Sequence, residues 1–331
     1  MTSPFEDLLR AYDQTGIIAV DESNTSFTVV VRTQGTRPAS LGEALDSLAA
    51  QTFPDFDVVV AVHGASDVAD AVRTSIGSRL ADRVRIVPVT GGGRAHPLNA
   101  GLELVVGSHF CFLDDDDLAR ENWLDAFAGA AAAAPGAIIR AVTETQKWTT
   151  AGGSAPVRAV GEIERPFPDR FDLLAHMSLN LTPICSLAFP RVVIDRLGLR
   201  FCDDLPVLED WDFLVRAAMA VGVVSIPDAT TLYRRLDSGN ADTAESVATW
   251  ERAHAMVIDR LSAAPVLLPV GDARRLAGTH FVTGGRSRHE ADLAIAEARL
   301  DQLIRSPARW ARAFVARLSS AVRRRSAARR P

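Results

Sequence analysis

Four consecutive aspartates, Asp114, Asp115, Asp116 and Asp117, follow the apolar run "HFCFL". Two like charges about 4 Å apart repel by roughly 4 kcal/mol at an effective dielectric near 20. Such a row must either fan out into water or gather something positive. Two further acids, Glu209 and Asp210, open the run "EDWDFLVRAA". Acids at a helix start are also favoured by the dipole and the free N–H groups there, so local electrostatics offers an alternative reading of both clusters. Arg94 follows Gly91–Gly93. Glycines let backbone N–H groups approach closely, so this loop could reach a phosphate or a nucleotide; a solvated loop arginine is the bland alternative.

These groups need elements to position them. "FTVVV" (27–31) is a continuous β-branched run, the pattern of a strand buried on both faces. "DVVVAV" (57–62), "VRIVPV" (84–89), "HFCFL" (109–113) and "AIIRAV" (137–142) read as four more strands. Helical spacing fills the gaps. "SLGEALDSLAAQT" places Leu41, Ala44, Leu45 and Leu48 on one face, with Ser40 and Glu43 fitting a capping box. "VADAVRTSIGSRLAD" (68–82), the segment after Gly93 and "ENWLDAFAGAAAAAPG" read as further helices, the last stopped by Pro135-Gly136. Strand–helix alternation predicts an α/β fold with a mainly parallel sheet flanked by helices. Ligands of such sheets bind beyond the carboxyl ends of the strands, where the four aspartates stand. Thr33 and Arg37 line the exit of the first strand, a second place for nucleotide contact.

Later segments are less regular. Residues 149–170, rich in Gly, Pro and charge, read as an exposed excursion. "FDLLAHMSL" and "RVVIDRLG" are short helices around the apolar "SLAF"; "EDWDFLVRAAMAVG" (209–222) is a helix, and "VVSI" a strand. Beyond about residue 243 the pattern is helical and polar.

An apolar share of 47% and a charged share of 23% exclude a disordered or fibrous chain. Cys111, Cys185 and Cys202 are not closely paired, which argues against a disulfide scaffold; Cys111 falls in an apolar strand and reads as buried and reduced. The first residues have neither a basic start nor a long apolar run, and no segment nears the roughly 18 apolar residues of a spanning helix. The expectation is a soluble cytoplasmic protein. Nine arginines and no acid follow residue 304, so residues 1–304 carry a charge of −14 against −5 for the chain. An acidic body with a basic tail does not suggest nucleic-acid binding by the main domain. In the tail, Trp310, Phe314, Leu318 and Val322 recur every four residues among arginines. That basic amphipathic pattern suits peripheral contact with anionic lipid on the inner face of the cytoplasmic membrane; docking on its own domain or a partner is the alternative.

Three stretches, taken in order, resemble family 2 glycosyltransferases of the GT-A fold: "FTVVVRTQGTRPASLGEALDSLAAQTFPDFDVVVAV", "GRAHPLNAGLELVVGSHFCFLDDDDL" and "LPVLEDWDFLVRAA". The match runs over roughly residues 26–235. It implies a GT-A catalytic domain at 26–242, preceded by an extension at 1–25 and followed by a helical region at 243–304 and the basic amphipathic tail at 305–331. By this resemblance Asp114 contacts the nucleotide ribose and Asp116 holds Mn²⁺ or Mg²⁺, with Asp114 beside the metal. Asp115 and Asp117 have structural roles, Asp117 as a helix cap or from behind the site. Asp210 is the general base that activates an acceptor hydroxyl, Glu209 the fallback, and Trp211 a surface for an acceptor sugar or else a core residue. Arg234 and Arg235, after Tyr233, stand where relatives carry basic residues near the diphosphate, which guanidinium groups suit. Arg94, Thr33 and Arg37 complete the nucleotide-sugar set, and Asn99 orders the glycine loop and its helix.

The resemblance thus implies an inverting, metal-dependent transferase moving sugar from a nucleotide-diphospho-sugar to a glycan or lipid-linked acceptor, as in cell-envelope polysaccharide synthesis. Two departures stand out. "VHGAS" puts Val62 and His63 where relatives often carry acids near the nucleobase, and Leu236 occupies the place of a frequent histidine, with Asp237 a neighbour that could substitute. They leave room for a non-catalytic nucleotide-sugar or glycan-binding module. A sugar-1-phosphate nucleotidyltransferase fits less well, because the glycines follow the third strand rather than the first.

Overall fold

In the computed structural model, the described residues are 25–263 except 65, 75, 77–79, 150–157 and 237–243, together with residue 266. The β-branched run becomes β1 (Phe27–Thr33), which leads to α1 (Pro38–Ala49), β2 (Phe56–His63) and α2 (Ser66–Thr74). A 3₁₀ turn at Ala81–Arg83 precedes β3 (Val84–Val89), then α3 (Ala95–Leu102), β4 (His109–Asp114) and a two-residue β5 (Leu118–Ala119). Next come α4 (Trp123–Ala133), β6 (Ile138–Thr149), β7 (Arg158–Ala159), α5 (Leu173–His176), β8 (Leu187–Pro190) and α6 (Val192–Asp195). Helix α7 (Glu209–Val221), β9 (Val223–Leu236) and α8 (Ala244–Ser262) complete the described elements.

The strands form one sheet in the order β3-β2-β1-β4-β8-β6-β9-β5, with β7 on β6. The first four are parallel neighbours, while β8 runs antiparallel to both β4 and β6, so the sheet is mixed beyond β4. Period-two alternation sends successive β1 side chains to opposite layers. Val29 and Val31 join Leu41, Leu45, Trp123 and Phe127 on the α1/α4 side. Val30 joins Leu98, Phe110, Trp211, Phe213 and Val257 on the α3/α7/α8 side. Helix α3 can lie this close because of Gly101, where an added Cβ would stand 2.4 Å from a Val30 methyl.

Several boundaries differ from expectation. The proposed capping box is absent: α1 starts at Pro38, Arg37 precedes it without a side-chain cap, and Ser40 is buried inside the helix. A proline at the first helical position has φ pre-set and needs no N–H partner, so the helix begins before Ser40 can cap it. Helix α2 ends at Thr74 rather than running on to residue 82. The apolar "LAF" is part of strand β8, and the strand expected at "VVSI" continues to Leu236 through a long parallel pairing with β6. Residues 158–165 of the excursion are exposed, as expected. Residues 1–24 of the extension at 1–25, residues 264–265 and 267–304 of the helical region, and the tail at 305–331 lie outside the described residues.

Helix α8 locks α7 to the body of the domain. Asp212 on α7 is fully buried and accepts from Arg216 at 2.6 and 2.9 Å and from Arg260 of α8 at 3.1 Å. Asp212→Ala would leave both guanidiniums without that acceptor. The expected loss, discounted because Arg260 is half-exposed, is roughly 2–4 kcal/mol in urea unfolding; an unchanged midpoint would refute the lock.

Candidate active site

The parallel register sets Arg32 on β1 directly beside Asp114 on β4, both at carboxyl ends. The Arg32 guanidinium donates to both oxygens of Asp114, at 3.0 and 2.7 Å, and through Nη1 to Glu209 Oε1 at 2.7 Å. One buried cation therefore joins the two acidic motifs, which are 95 positions apart in sequence (114 and 209). Burial works against the Arg32 charge, but Asp114 and Glu209 outweigh it and hold its pKa above the ordinary value. Arg32 was not among the residues singled out from sequence.

After β4 the chain turns tightly, with the Asp117 N–H donating to the Asp114 carbonyl at 3.1 Å. The four aspartates separate at this turn. Asp115 and Asp117 are buried, whereas Asp114 and Asp116 keep about a quarter of their side chains exposed, at 25% and 22%. Arg37 forks across Asp115 and Asp116, at 2.5 Å to each. Thr33 donates its hydroxyl to Asp115, so it braces the turn and is too buried to meet a nucleotide directly. Asp117 does not cap α4: its carboxylate accepts the Arg234 backbone N–H at 3.0 Å, and α4 begins six residues later. The positive partner that the row requires is thus supplied first by arginines.

Compensation is uneven. Burial opposes the ionised form of Asp114, yet the Arg32 charge and hydrogen bonds, helped by Arg94 and Arg37, bring its carboxyl below the ordinary range. Burial raises Asp115 to about 6 despite Arg37. Asp116 is raised by burial and by the neighbouring Asp114 charge, and Asp117 by burial and then Asp116 and Asp114. Counting Glu43, Glu209 and Asp210, seven carboxyl groups share the four guanidiniums Arg32, Arg37, Arg94 and Arg234. That deficit, with a part-exposed Asp116 engaged by a single Arg37 nitrogen, fits a hard divalent cation. Such ions take one or two protein carboxylates and fill the remaining positions with water and phosphate oxygens. Among the described residues no group of three or more His, Cys, Asp or Glu side chains forms a metal cage.

The glycine loop turns with φ of 71° at Gly91 and 74° at Gly92, values that disfavour other residues. His63 at the end of β2 donates to the Gly91 carbonyl at 3.0 Å and holds this loop. The loop delivers Arg94, half-exposed, whose Nε donates to Glu209 Oε1 at 3.2 Å. Asn99 clamps the Phe201 backbone from both sides, at 3.0 and 2.8 Å, and so fixes α3 against the segment before α7.

Helix α7 starts just after Leu208, the one non-glycine among the described residues with positive φ (67°). A bulky residue in this region is strained, and such strain gathers at functional sites. Glu209 is buried and committed to Arg32 and Arg94. Asp210 is half-buried, and burial followed by the adjacent Glu209 charge raises it to about 6. Trp211 does not face the site. It is fully buried, its indole N–H donates to the His176 carbonyl at 2.6 Å, and it stacks on His254. It cannot support an acceptor sugar; the one-residue step along a helix turns it into the core.

Arg234 points inward. Its side chain is buried over the Trp148 ring at 4.9 Å, with donations to Glu43 and to the Asp116 carbonyl. It acts as a brace under the aspartate turn, with no surface left for a diphosphate, while Arg235 beside it is half-buried. The structure therefore brings together Asp114, Asp116, Arg37, Arg94, Glu209 and Asp210. It moves Thr33 and Arg234 behind the site and Trp211 away from it.

Residues 28–186 match the sequence model of the family described as Glycosyl transferase family 2. An uncharacterized glycosyltransferase of Rickettsia felis is 24% identical over 178 residues, 51% of this chain and 28% of that protein. One from Rickettsia typhi is 30% identical over 177 residues, 51% of this chain and 52% of that protein. The chain thus spans between about a quarter and a half of these curated relatives' length. Among solved structures, Staphylococcus aureus TarS 1–349 in complex with UDP-GlcNAc is similar with a TM-score of 0.51 at 19% identity, covering 70% of this chain and 66% of that one. The mannosyltransferase PcManGT from Pyrobaculum calidifontis, in complex with GDP-Man and Mn²⁺, is similar with a TM-score of 0.53 at 19% identity, covering 96% and 88%. The fold is GT-A.

Removing Arg32 tests the shared cation. Arg32→Met leaves Asp114 and Glu209 buried without it and should cost roughly 3–5 kcal/mol in denaturant unfolding. Loss within 1 kcal/mol of a typical exposed substitution (about 0.5 kcal/mol) would show that Arg37 and Arg94 suffice.

Proposed function

We propose that this chain, which carries a family 2 glycosyltransferase domain over residues 28–186, is an inverting, divalent-metal-dependent glycosyltransferase. It moves a sugar from a nucleotide-diphospho-sugar to a hydroxyl of a glycan or lipid-linked acceptor. The observation that carries this reading is the pairing of two unlike acidic centres through Arg32: the Asp114–Asp117 turn and the Glu209–Asp210 helix start. The bound UDP-GlcNAc and GDP-Man of the two similar structures support the donor class.

Asp116 would hold Mn²⁺ or Mg²⁺, with Asp114 beside it toward the nucleotide ribose. When bound, the ion offsets charge developing on the departing diphosphate. Arg94 and Arg37 would add guanidinium donors for phosphate oxygens, with Arg235 as a further candidate. Asp210 takes the proton of the acceptor hydroxyl as that oxygen attacks the anomeric carbon. The new carbon–oxygen bond forms on the face opposite the breaking bond to phosphate, which inverts the centre. Glu209 is poorly suited to this role, since Oε1 already accepts from Arg32 and Arg94. Asp210, raised to about 6, is a stronger base than an ordinary carboxylate yet still ionised near neutral pH.

Asp210→Asn should lower transfer about 10²–10⁴-fold, and Asp116→Ala should abolish Mn²⁺-stimulated transfer, both measured on a panel of UDP-, GDP- and dTDP-sugars. Binding of a nucleotide-sugar without any transfer by the wild-type chain would instead favour a non-catalytic module. The pH profile has a defined sign. A base must be deprotonated, so kcat/KM should fall tenfold per unit below pH about 6 and level off above it. A limb at an ordinary aspartate's pKa would contradict the assignment of Asp210. For a lipid-linked acceptor, the basic segment 305–331 supplies the membrane contact; its deletion should abolish flotation with anionic liposomes, and unchanged flotation would remove that element. Among the described residues no helix is long and apolar enough to cross a membrane.

A further inference from the structure

The base assigned above has a neighbour that neither motif contains. The Asn180 carboxamide nitrogen faces both Asp210 oxygens, at 3.4 Å each. Its orientation is set from the other side, where its carbonyl oxygen accepts the Thr182 N–H at 3.4 Å. Asp210 Oδ1 also accepts the Trp211 N–H at 2.8 Å, so one oxygen is held by the helix and the pair is squared by Asn180.

The segment carrying Asn180 is tied at every second or third residue. The Trp211 indole N–H donates to the His176 carbonyl at 2.6 Å, and His254 of α8 donates to the Ser178 carbonyl at 3.0 Å. His176 Nδ1 donates to the Asp172 carbonyl at 2.7 Å, which leaves Nε2 to accept from the Thr182 hydroxyl at 2.7 Å. Burial lowers the His176 pKa to about 4, so the imidazole stays neutral and this arrangement persists. Trp211 and His254, whose rings stack 5.2 Å apart, thus hold the segment from the same elements that hold the base. A surface asparagine needs no such support.

We infer that Asn180 is a positioning residue for Asp210: it fixes the carboxylate plane so that one oxygen meets the incoming acceptor hydroxyl. This rests on the reading of Asp210 as the base. Donors to the ionised form favour it, so Asn180 also keeps the carboxylate charged. The other charged or titratable groups bearing on Asp210 are Glu209 on its own helix, Arg94 from the glycine loop, Arg32 from β1 and Tyr233 from β9. None of them changes in a substitution at 180.

The test compares Asn180→Ala, the near-isosteric Asn180→Asp and Asp210→Asn in full-length protein, with donor and acceptor kinetics across pH and a thermal melt for each. Asn180→Ala should lower kcat about tenfold, leave the donor KM within twofold, and move the acid limb up by roughly half a pH unit. Asn180→Asp adds a like charge and should move the limb further up than alanine does. A purely structural role would lower the melting temperature of Asn180→Ala without moving the limb in either folded variant; that result overturns the inference. If Asp210→Asn keeps its transfer rate, the assignment of the base fails instead, whatever the 180 variants do.

Discussion

Arg32 stands between two groups of acids that would otherwise repel each other across the mouth of the sheet. A guanidinium suits the place because its fork can serve two carboxylates at once: two donors lie along Asp114 and a third reaches Glu209. A lysine would bring a single point charge and could not span both. Around it the remaining acids are only partly offset, by Arg37 on one side and Arg94 on the other. The site is therefore organised by arginines yet left short of positive charge, which is the condition in which a bound cation gains most.

The fold serves that arrangement in two ways. Parallel pairing of β1 with β4 places the ends of both strands at one level, so Arg32 and Asp114 meet by register alone. Helix α7 brings the second acid pair from the far side, and its angle is secured by neighbours rather than by propensity. Trp211 and Asp212, the residues after the acids, are anchored to α5 and α8. A helix that carries two acids on its first turn is thus clamped immediately behind them.

Much of the architecture was legible in the chain. The first four strands and the intervening helices follow their hydrophobic pattern, because β1, β2 and β4 are buried on both faces, the edge strand β3 keeps an apolar sequence though only partly buried, and each helix buries one face. The acidic pairs were legible as well, since four aspartates in a row have few structural uses. What escaped was whatever depends on cross-strand register or on the turn of a helix. Arg32 looked like one more polar residue after "VVV", because its partner is set by pairing with a strand 82 residues later. Thr33 and Arg234 do stand beside the aspartate turn, but their burial depends on which way each side chain leaves its strand. Trp211 had a core reading and a site reading from sequence, and only its position on α7 decides between them. Asn180 sits in irregular chain with no periodicity at all, and its contact with Asp210 has no local signature.

The tie between Arg32, Asp114 and Glu209 also bears on how such a chain can change over generations. Each of the three is most favourable in the half-buried mouth of the sheet while the others are present, so single replacements at these positions are expected to pass through a destabilised intermediate. A replacement at position 32 is therefore expected to be best tolerated with a compensating change at position 209, despite their separation in the chain. A lineage that lost the arginine would have to reshape the start of α7 as well, because Glu209 there would keep a buried charge with only Arg94 beside it.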